Sequence, residues 1–361
     1  MERKYWYWIN NIEGIGNTKI RNLLEFAGGP SRIFEMDKSE FLKVPSITEK
    51  DIDNLLSDEL RKKIFDRYEK DINKGVKFVF PYENEYPVKL KEIYDKPYIL
   101  YYRGSLPSPE RKQVAIVGSR KCSEYGRYVA RELARVISGA GAEVISGLAY
   151  GIDSEAHKGA VMSGGITYGV LAGGVDKCYP PDNYNLYMDI IDSGGILSEF
   201  PGNSITKPGM FPLRNRIISG ISDAVIVVEA GHKSGSLITA AFALEQNRDV
   251  YAVPGRISDV TGKGCNELIA EGAMVVTDFD SILSNLGLES DKSKKNIKND
   301  ISLASDEKML YSLLLDFTPR SLESLIMESK LNPEQVIRCL TGLEIKGVVK
   351  EISKNYYTRV Q

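Results

Sequence analysis

The chain has 361 residues, 42% hydrophobic and 27% charged, with a formal net charge of −2 and an isoelectric point near 6.0. That length exceeds what one hydrophobic core normally serves, so two or three domains are expected in an otherwise ordinary globular composition. A global basic footprint is excluded, and a nucleic-acid partner would need positive charge gathered locally. Cys122, Cys178, Cys265 and Cys339 form no C-x-x-C pair and have no histidine cluster beside them, so no metal site is indicated and reduced thiols in a cytoplasmic protein are expected. The opening "MERKYWYWINNIEG" lacks an apolar signal region and no stretch has the length of a membrane span, so neither export nor insertion is expected.

Residues 1–70 read as short helices. In "INNIEGIGNTKIRNLLEFAGG" the residues Ile15, Ile20, Leu23, Leu24 and Phe26 fall at helical spacing around a Gly14-Ile15-Gly16 turn, with a weaker echo in "FLKVPSITEKDIDNLL". A helix-hairpin-helix could offer backbone amides to a phosphate, but the second copy lacks the glycines, which favours a helical packing domain. From residue 75 to 287 strand-like runs alternate with helical patterns: "VKFVF", "YILYYRG", "VAIVG", "EVISG", "TYGVLAGG", "ILSEF", "AVIVVEA", "DVYAVPG" and "MVVTD". Continuous apolar runs separated by helices predict an α/β, mostly parallel, doubly wound sheet with ligands beyond the carboxyl ends of its strands. Residues 288–304 read as a polar linker, and 305–361 as three helices and a hairpin, the pattern of a winged helix. Its third helix carries few basic residues, so a protein-docking or dimerising role suits it at least as well as reading a DNA groove.

Three glycine turns follow successive strands: Gly118-Ser119-Arg120, the Ser146-Gly147-Leu148-Ala149 turn, and Gly173-Gly174. Short residues before a helix let amides and the helix dipole meet an anion. The dinucleotide fingerprint is absent, since "GSRKCSEYG" places Arg120 where a second glycine would stand. Such a cation would crowd a pyrophosphate lying flat on the turn but could clamp a separate phosphate. "FPLRNRIISG" adds Arg214, Asn215 and Arg216 before an apolar helix, and Lys233 precedes Ser234-Gly235-Ser236 at another helix start. Together these predict a phosphate-lined groove on one sheet edge.

No catalytic constellation emerges. Asp153, Ser154 and His157 lie within one helical turn, where neighbours do not converge as a triad, so Asp153 reads as an N-cap and His157 as pinned by it. Glu199, Asp223 and Glu229 end or precede strands without the spacing of an acid/base pair or metal cluster. No metal or cofactor is expected.

The ordered set "VAIVGSR", "SGLAYGIDSEAH", "LAGGVDKCYPPDN", "FPLRNRIISG", "KSGSLITA" and "DVYAVPG" resembles the core of the bacterial DNA processing protein A family, also called DprA or Smf. "YPVKLKEIYDKPYILYYRG" resembles that family's lead-in. The resemblance implies an extended Rossmann-like core, an amino-terminal helical domain of sterile-alpha-motif type and a winged-helix tail. It also implies sequence-independent binding of single-stranded DNA, a homodimer, and loading of the recombinase RecA during natural transformation, without enzyme activity. The DNA contacts it implies are Gly118, Ser119, Arg120, Gly147, Gly173, Gly174, Asn215, Arg216 and Lys233 to Ser236. Where many members have a lysine after Tyr-Pro this chain has Pro181, a change for which Lys177 could compensate, and Tyr184 stands where an aromatic would stack a base. Three rivals fit less well or differently. A nucleoside-monophosphate hydrolase would need a threonine and glutamate after the paired glycines, a dinucleotide oxidoreductase would need the missing fingerprint, and an adaptor would use the core only to dimerise.

Overall fold

The computed structural model describes residues 2–202, 204–289, 303–314 and 319–359. Residues 1–290 form one unit and 291–361 another. In the first lie β1 (Lys77–Val79), β2 (Leu100–Gly104), β3 (Gln113–Val117), β4 (Glu143–Ser146) and β5 (Thr167–Val170), then β6 (Gly195–Ser198), β7 (Ala224–Val227), β8 (Asp249–Ala252) and β9 (Met274–Val275). They form one sheet in the order β1-β2-β6-β5-β4-β3-β7-β8-β9. Every pair from β6 across to β9 is parallel, and only β2 runs against the rest. This is the mostly parallel, Rossmann-like sheet that the apolar runs predict.

The runs are continuous because both faces are covered. Val114 and Ile116 of β3 pack with Val129, Leu133 and Ile137 of the helix Glu124–Gly139, whereas Ala115 and Val117 face Ile217, Ile218 and Ile221 of the helix Met210–Ile221. The chain moves outward from β3 through β4, β5 and β6, then returns to the far side of β3 for β7. The β3/β7 boundary is therefore the topological switch point, where a sheet of this kind leaves a crevice beyond its carboxyl edge.

The amino-terminal helices run from Glu2–Asn10 to Asp58–Asn73. Tyr7, Trp8, Ile20, Leu23, Ile33, Phe41, Ile52 and Leu55 fill their interior, and Phe78, Phe80 and Tyr101 from the strand edge belong to the same apolar cluster. Phe26 departs from the expected apolar face and is exposed. The weaker second copy gives the helices Lys38–Phe41 and Glu49–Leu56, each opened by a capping box, Asp37 with Glu40 and Thr48 with Asp51. Lys19 Nζ donates to the Gly14 carbonyl and the Asp51 carboxylate, tying the glycine turn to that second copy.

Most of the polar stretch read as a linker, residues 290–302, lies outside the described residues. The second unit holds the helices Ser305–Leu313, Leu322–Ser329 and Pro333–Ile345 with β10 (Arg320–Ser321), β11 (Val349–Ser353) and β12 (Tyr356–Arg359), ordered β10-β12-β11. Leu310, Leu325, Val336, Leu340 and Leu343 form its core, giving the winged helix expected from the pattern. Among the described residues no helix is long and apolar enough to cross a membrane.

Candidate nucleic-acid interface

At the switch point a cleft of about 420 Å³ opens, walled by the turn after β3, the start of the helix Met210–Ile221 and the start of the helix Gly235–Glu245. Of the residues singled out in the sequence, it gathers Gly118, Ser119, Arg120, Arg214, Asn215, Ser234, Gly235 and Ser236. A smaller cavity of about 50 Å³ adjoins it across Arg120, Phe211 and Arg214, and is lined by Gly147, Tyr150, Tyr179 and Thr206 among others. Gly173, Gly174, Lys177, Tyr184, Arg216 and Lys233 line neither cavity.

The inner wall of the cleft is a closed electrostatic layer. Arg214 is only 6% exposed; its Nη1 donates to the carbonyls of Gly147 and Val170, and its Nε to Asn215 Oδ1 at 3.1 Å. Gly147 must be glycine for this, because a side-chain carbon there would collide with the guanidinium. Burial lowers the Arg214 pKa to about 10, with Asp153 opposing and neighbouring Arg120 reinforcing the shift. Asp153 is buried too; burial raises its pKa, while Arg214 and the backbone N–H groups of Ala149, Gly147 and Gly118 favour its charged form. An internal carboxylate thus takes the position that the glycine turns offer to an anion. Arg216, 3% exposed, is also turned inward: Nη2 donates to Glu199 at 2.5 Å and Nε lies 3.1 Å from Asp95, while its buried Nη1 has no hydrogen-bond partner.

A second internal carboxylate occupies the helix that follows β3. Glu229 accepts from the backbone N–H and hydroxyl of Ser123, the N-cap of the helix Glu124–Gly139, and sits against Gly126. The partial positive charge expected to serve a ligand at that helix start therefore already faces a buried acid. The Ser119 amide donates to the Glu229 carbonyl at 2.7 Å. Gly173 and Gly174 are buried under Pro201, Gly202, Ser204 and Thr206: the Gly174 amide donates to the Ser204 carbonyl at 3.1 Å, and a side chain on Gly174 would strike the carbonyls of Pro201 and Gly202. Those glycines admit a protein loop.

The outer rim is different. Arg120 is exposed and holds its guanidinium 4.7 Å above the Phe211 ring, which in turn lies 5.8 Å from Tyr179. Lys121 and Lys233 are exposed beside it in the chain segments that bound the cleft. The helix Gly235–Glu245 opens with Ser234 as N-cap and has no acidic residue in its first turn, so its amino-terminal charge is not countered from within. Asn215 Nδ2 donates to the Gly235 carbonyl at 3.2 Å, fixing this helix start to the arginine segment.

Two expectations need correction. Asp153 is not an N-cap: the helix Ile152–Met162 is entered through Gly151, at φ 77°, which leaves Asp153 inside the first turn and aimed at the strand-end amides. His157 is not pinned by Asp153. Its Nδ1 meets Thr167 Oγ1 at 2.7 Å, and because that hydroxyl donates to the Val144 carbonyl, Nδ1 carries the proton and Nε2 is left without a partner. Burial, with Arg214 adding, pulls its pKa down to about 3, so it is neutral. Phe211 and Tyr179 were overlooked as cleft residues although both stand inside quoted motifs; an aromatic one turn before the paired arginines was the available signal.

The fold and cleft define a class: a Rossmann-like α/β protein whose switch-point cleft has an internally neutralised floor and a cationic, aromatic rim. The family model for DNA recombination-mediator protein A matches residues 77–287, and that for the DprA winged helix domain matches 298–353. The chain belongs to the DNA recombination-mediator protein A family. It is 35% identical to Protein Smf of Synechocystis over 79% of this chain and 73% of that protein. It is 46% identical to DNA processing protein DprA of Streptococcus pneumoniae over 55% of this chain and 70% of that one. The solved structure of the Streptococcus pneumoniae protein covers 79% of this chain and 98% of its own, at TM-score 0.63 and 33% identity. That of DNA processing protein A from Helicobacter pylori, described as having a unique single-stranded DNA binding mode, covers 58% and 95% at TM-score 0.52 and 29% identity.

Proposed function

We propose that this chain binds single-stranded DNA without sequence preference along the switch-point cleft, as a homodimer in the cytoplasm, and that it protects incoming strands and loads RecA onto them during natural transformation. The observation that carries the reading is the contrast within the cleft: Asp153 and Glu229 fill the inner anion positions, while Arg120, Lys121, Lys233 and the start of the helix Gly235–Glu245 remain for outside phosphates. A flexible strand presents separate phosphates and free base faces, which suit spaced cations and an aromatic such as Phe211 and require no catalytic group. In this reading Gly118, Ser119, Arg120 and Lys233 to Ser236 touch the strand. Gly147, Gly173, Gly174, Arg214, Asn215 and Arg216 hold those groups in place. The family relationship and the binding mode described for the Helicobacter pylori protein point the same way.

Fluorescence anisotropy with a labelled oligothymidylate and a duplex of equal length tests this directly. Single strand is expected to bind at least about tenfold tighter than duplex, with affinity falling steeply as salt rises. Equal affinity for the two would overturn the reading. RecA loading is tested separately, by whether the protein speeds RecA filament growth on strands already coated by a single-strand-binding protein.

A further inference from the structure

We propose that the strand is carried beyond the cleft along the helix Glu124–Gly139 by a row of arginines, Arg127, Arg131 and Arg135, with Lys158 beside it; this rests on the single-strand reading above. The helix begins where the rim ends: Ser123, its N-cap, follows the turn that carries exposed Arg120 and Lys121. Its arginines then recur at every fourth residue, so they share one row at steps of about 6 Å along the axis. Neighbouring phosphates of an extended strand are a comparable distance apart.

Packing sets this row apart from the rest of the helix. Val129, Leu133 and Ile137 take the inner face, and the acids Glu124 and Glu132 stand on the row of Tyr128, whose ring lies 6.0 Å from Phe279. The arginine row borders the helix Ile152–Met162 instead. A side-chain carbon on Gly159 would strike the Arg131 carbonyl, so the two backbones touch there and present one surface. Glu155 lies between them with its side chain 4% exposed, and accepts from Arg131 Nε at 3.0 Å and from Lys158 Nζ at 2.9 Å. One buried carboxylate thus holds two cations, and a surplus positive charge stays at the surface.

The other members of the row are held still less. Arg127 and Arg135 meet only acids of their own helix, Glu124 at 3.4 Å and Glu132 at 2.7 Å, and their side chains are 39% and 54% exposed. Surface pairs of this kind contribute little, so exchanging carboxylate for phosphate costs little. Arg131 uses Nε and Nη2 on Glu155, and its Nη1 makes no hydrogen bond among the described residues. The guanidinium fork matches a phosphate, and phosphate contacts carry no sequence information, as a strand of any sequence requires.

The row implies a footprint that lengthens stepwise from the rim, and the test is the order in which contacts appear. Full-length protein is titrated with oligothymidylates of about four to about sixteen nucleotides, the range of site sizes in single-strand grooves. The salt is held at about 0.15 M, where the field of an exposed charge reaches only about 8 Å. The double variant Arg127→Gln, Arg135→Gln is expected to weaken the longest strand about tenfold and the shortest less than about twofold, and to flatten the salt dependence of the longest by about 1.4 in log–log slope, about 0.7 for each lost phosphate contact. As single variants, Arg135→Gln should begin to lose affinity only with longer strands than those that reveal Arg127→Gln, because it lies about two turns further from the rim. The double variant Arg127→Lys, Arg135→Lys, which keeps both charges, should stay within about threefold of the parent at every length. The proposal is overturned if the glutamine variant weakens all lengths equally, if it weakens none, or if the lysine variant loses as much as the glutamine one. Failure of the unaltered protein to bind any of the oligonucleotides would instead remove the single-strand reading, and the role of the row with it.

Discussion

The floor and the rim of the switch-point cleft are built from the same motifs and do opposite things with charge. On the floor, Arg214 and Asp153 are buried, and behind it Arg216 and Glu229 are held by Glu199 and Ser123. On the rim, Arg120, Lys121 and Lys233 face water. Adjacent residues fall on either side of this division, as Ser119 and Arg120 do: one gives its amide to Glu229, the other carries a free guanidinium over Phe211. The difference teaches that a phosphate-type turn can be satisfied from within, so that a glycine-rich strand end marks a place of close backbone approach before it marks a ligand.

If the floor is structural, its removal should be felt in stability. Arg214→Ala leaves the Gly147 and Val170 carbonyls without their guanidinium donor and removes the positive charge that favours ionised Asp153, and each buried group left without its partner costs about 1–3 kcal/mol. Urea denaturation should show that loss whether or not DNA is present; a variant as stable as the parent would break the comparison.

A smaller effect comes from the histidine beneath that floor. His157 has its pKa lowered from 6.5 to about 3 by burial, so the unfolded chain takes up a proton below pH 6.5 that the folded chain refuses. Its contribution is complete above that pH and is lost as pH falls toward 3, about 2 kcal/mol between pH 7 and pH 5. Asp153, whose pKa is raised, opposes it in sign. The comparison to make is therefore between the parent and His157→Asn, whose stability should fall less steeply over that interval; identical slopes would remove the effect.

The rim should respond in binding alone. Arg120→Ala is expected to leave the melting temperature within a degree or two, as surface substitutions do. It should weaken a long oligothymidylate about tenfold and flatten the salt dependence by about 0.7. A large drop in stability would place Arg120 with the floor instead.

Much of the architecture was legible because burial writes itself into composition. "VAIV" and "AVIV" are apolar throughout since helices cover both faces of β3 and β7, and the order of strands places the crevice. What composition does not carry is the direction of a side chain within a helix. Arg214 and Arg216 are two residues apart, on different sides of the helix Met210–Ile221, and one meets strand-end carbonyls while the other meets Asp95 and Glu199. Nor does it show that Glu229 returns to the start of a helix more than a hundred residues earlier, since that meeting is made by the β3/β7 pairing. The winged helix was legible from three periodic segments and a hairpin; the short strand β10 was not, being two residues long.

The apolar interior shared by Tyr7, Trp8, Phe78, Phe80 and Tyr101 also bears on how the chain is made. The amino-terminal helices are synthesised before part of the surface they pack on: Tyr7 meets Phe78 of β1 and Tyr101 of β2, and Trp6 meets Phe80. Until β2 has been synthesised, these aromatic side chains lack part of their cover. During that interval they are a surface for chaperones to hold.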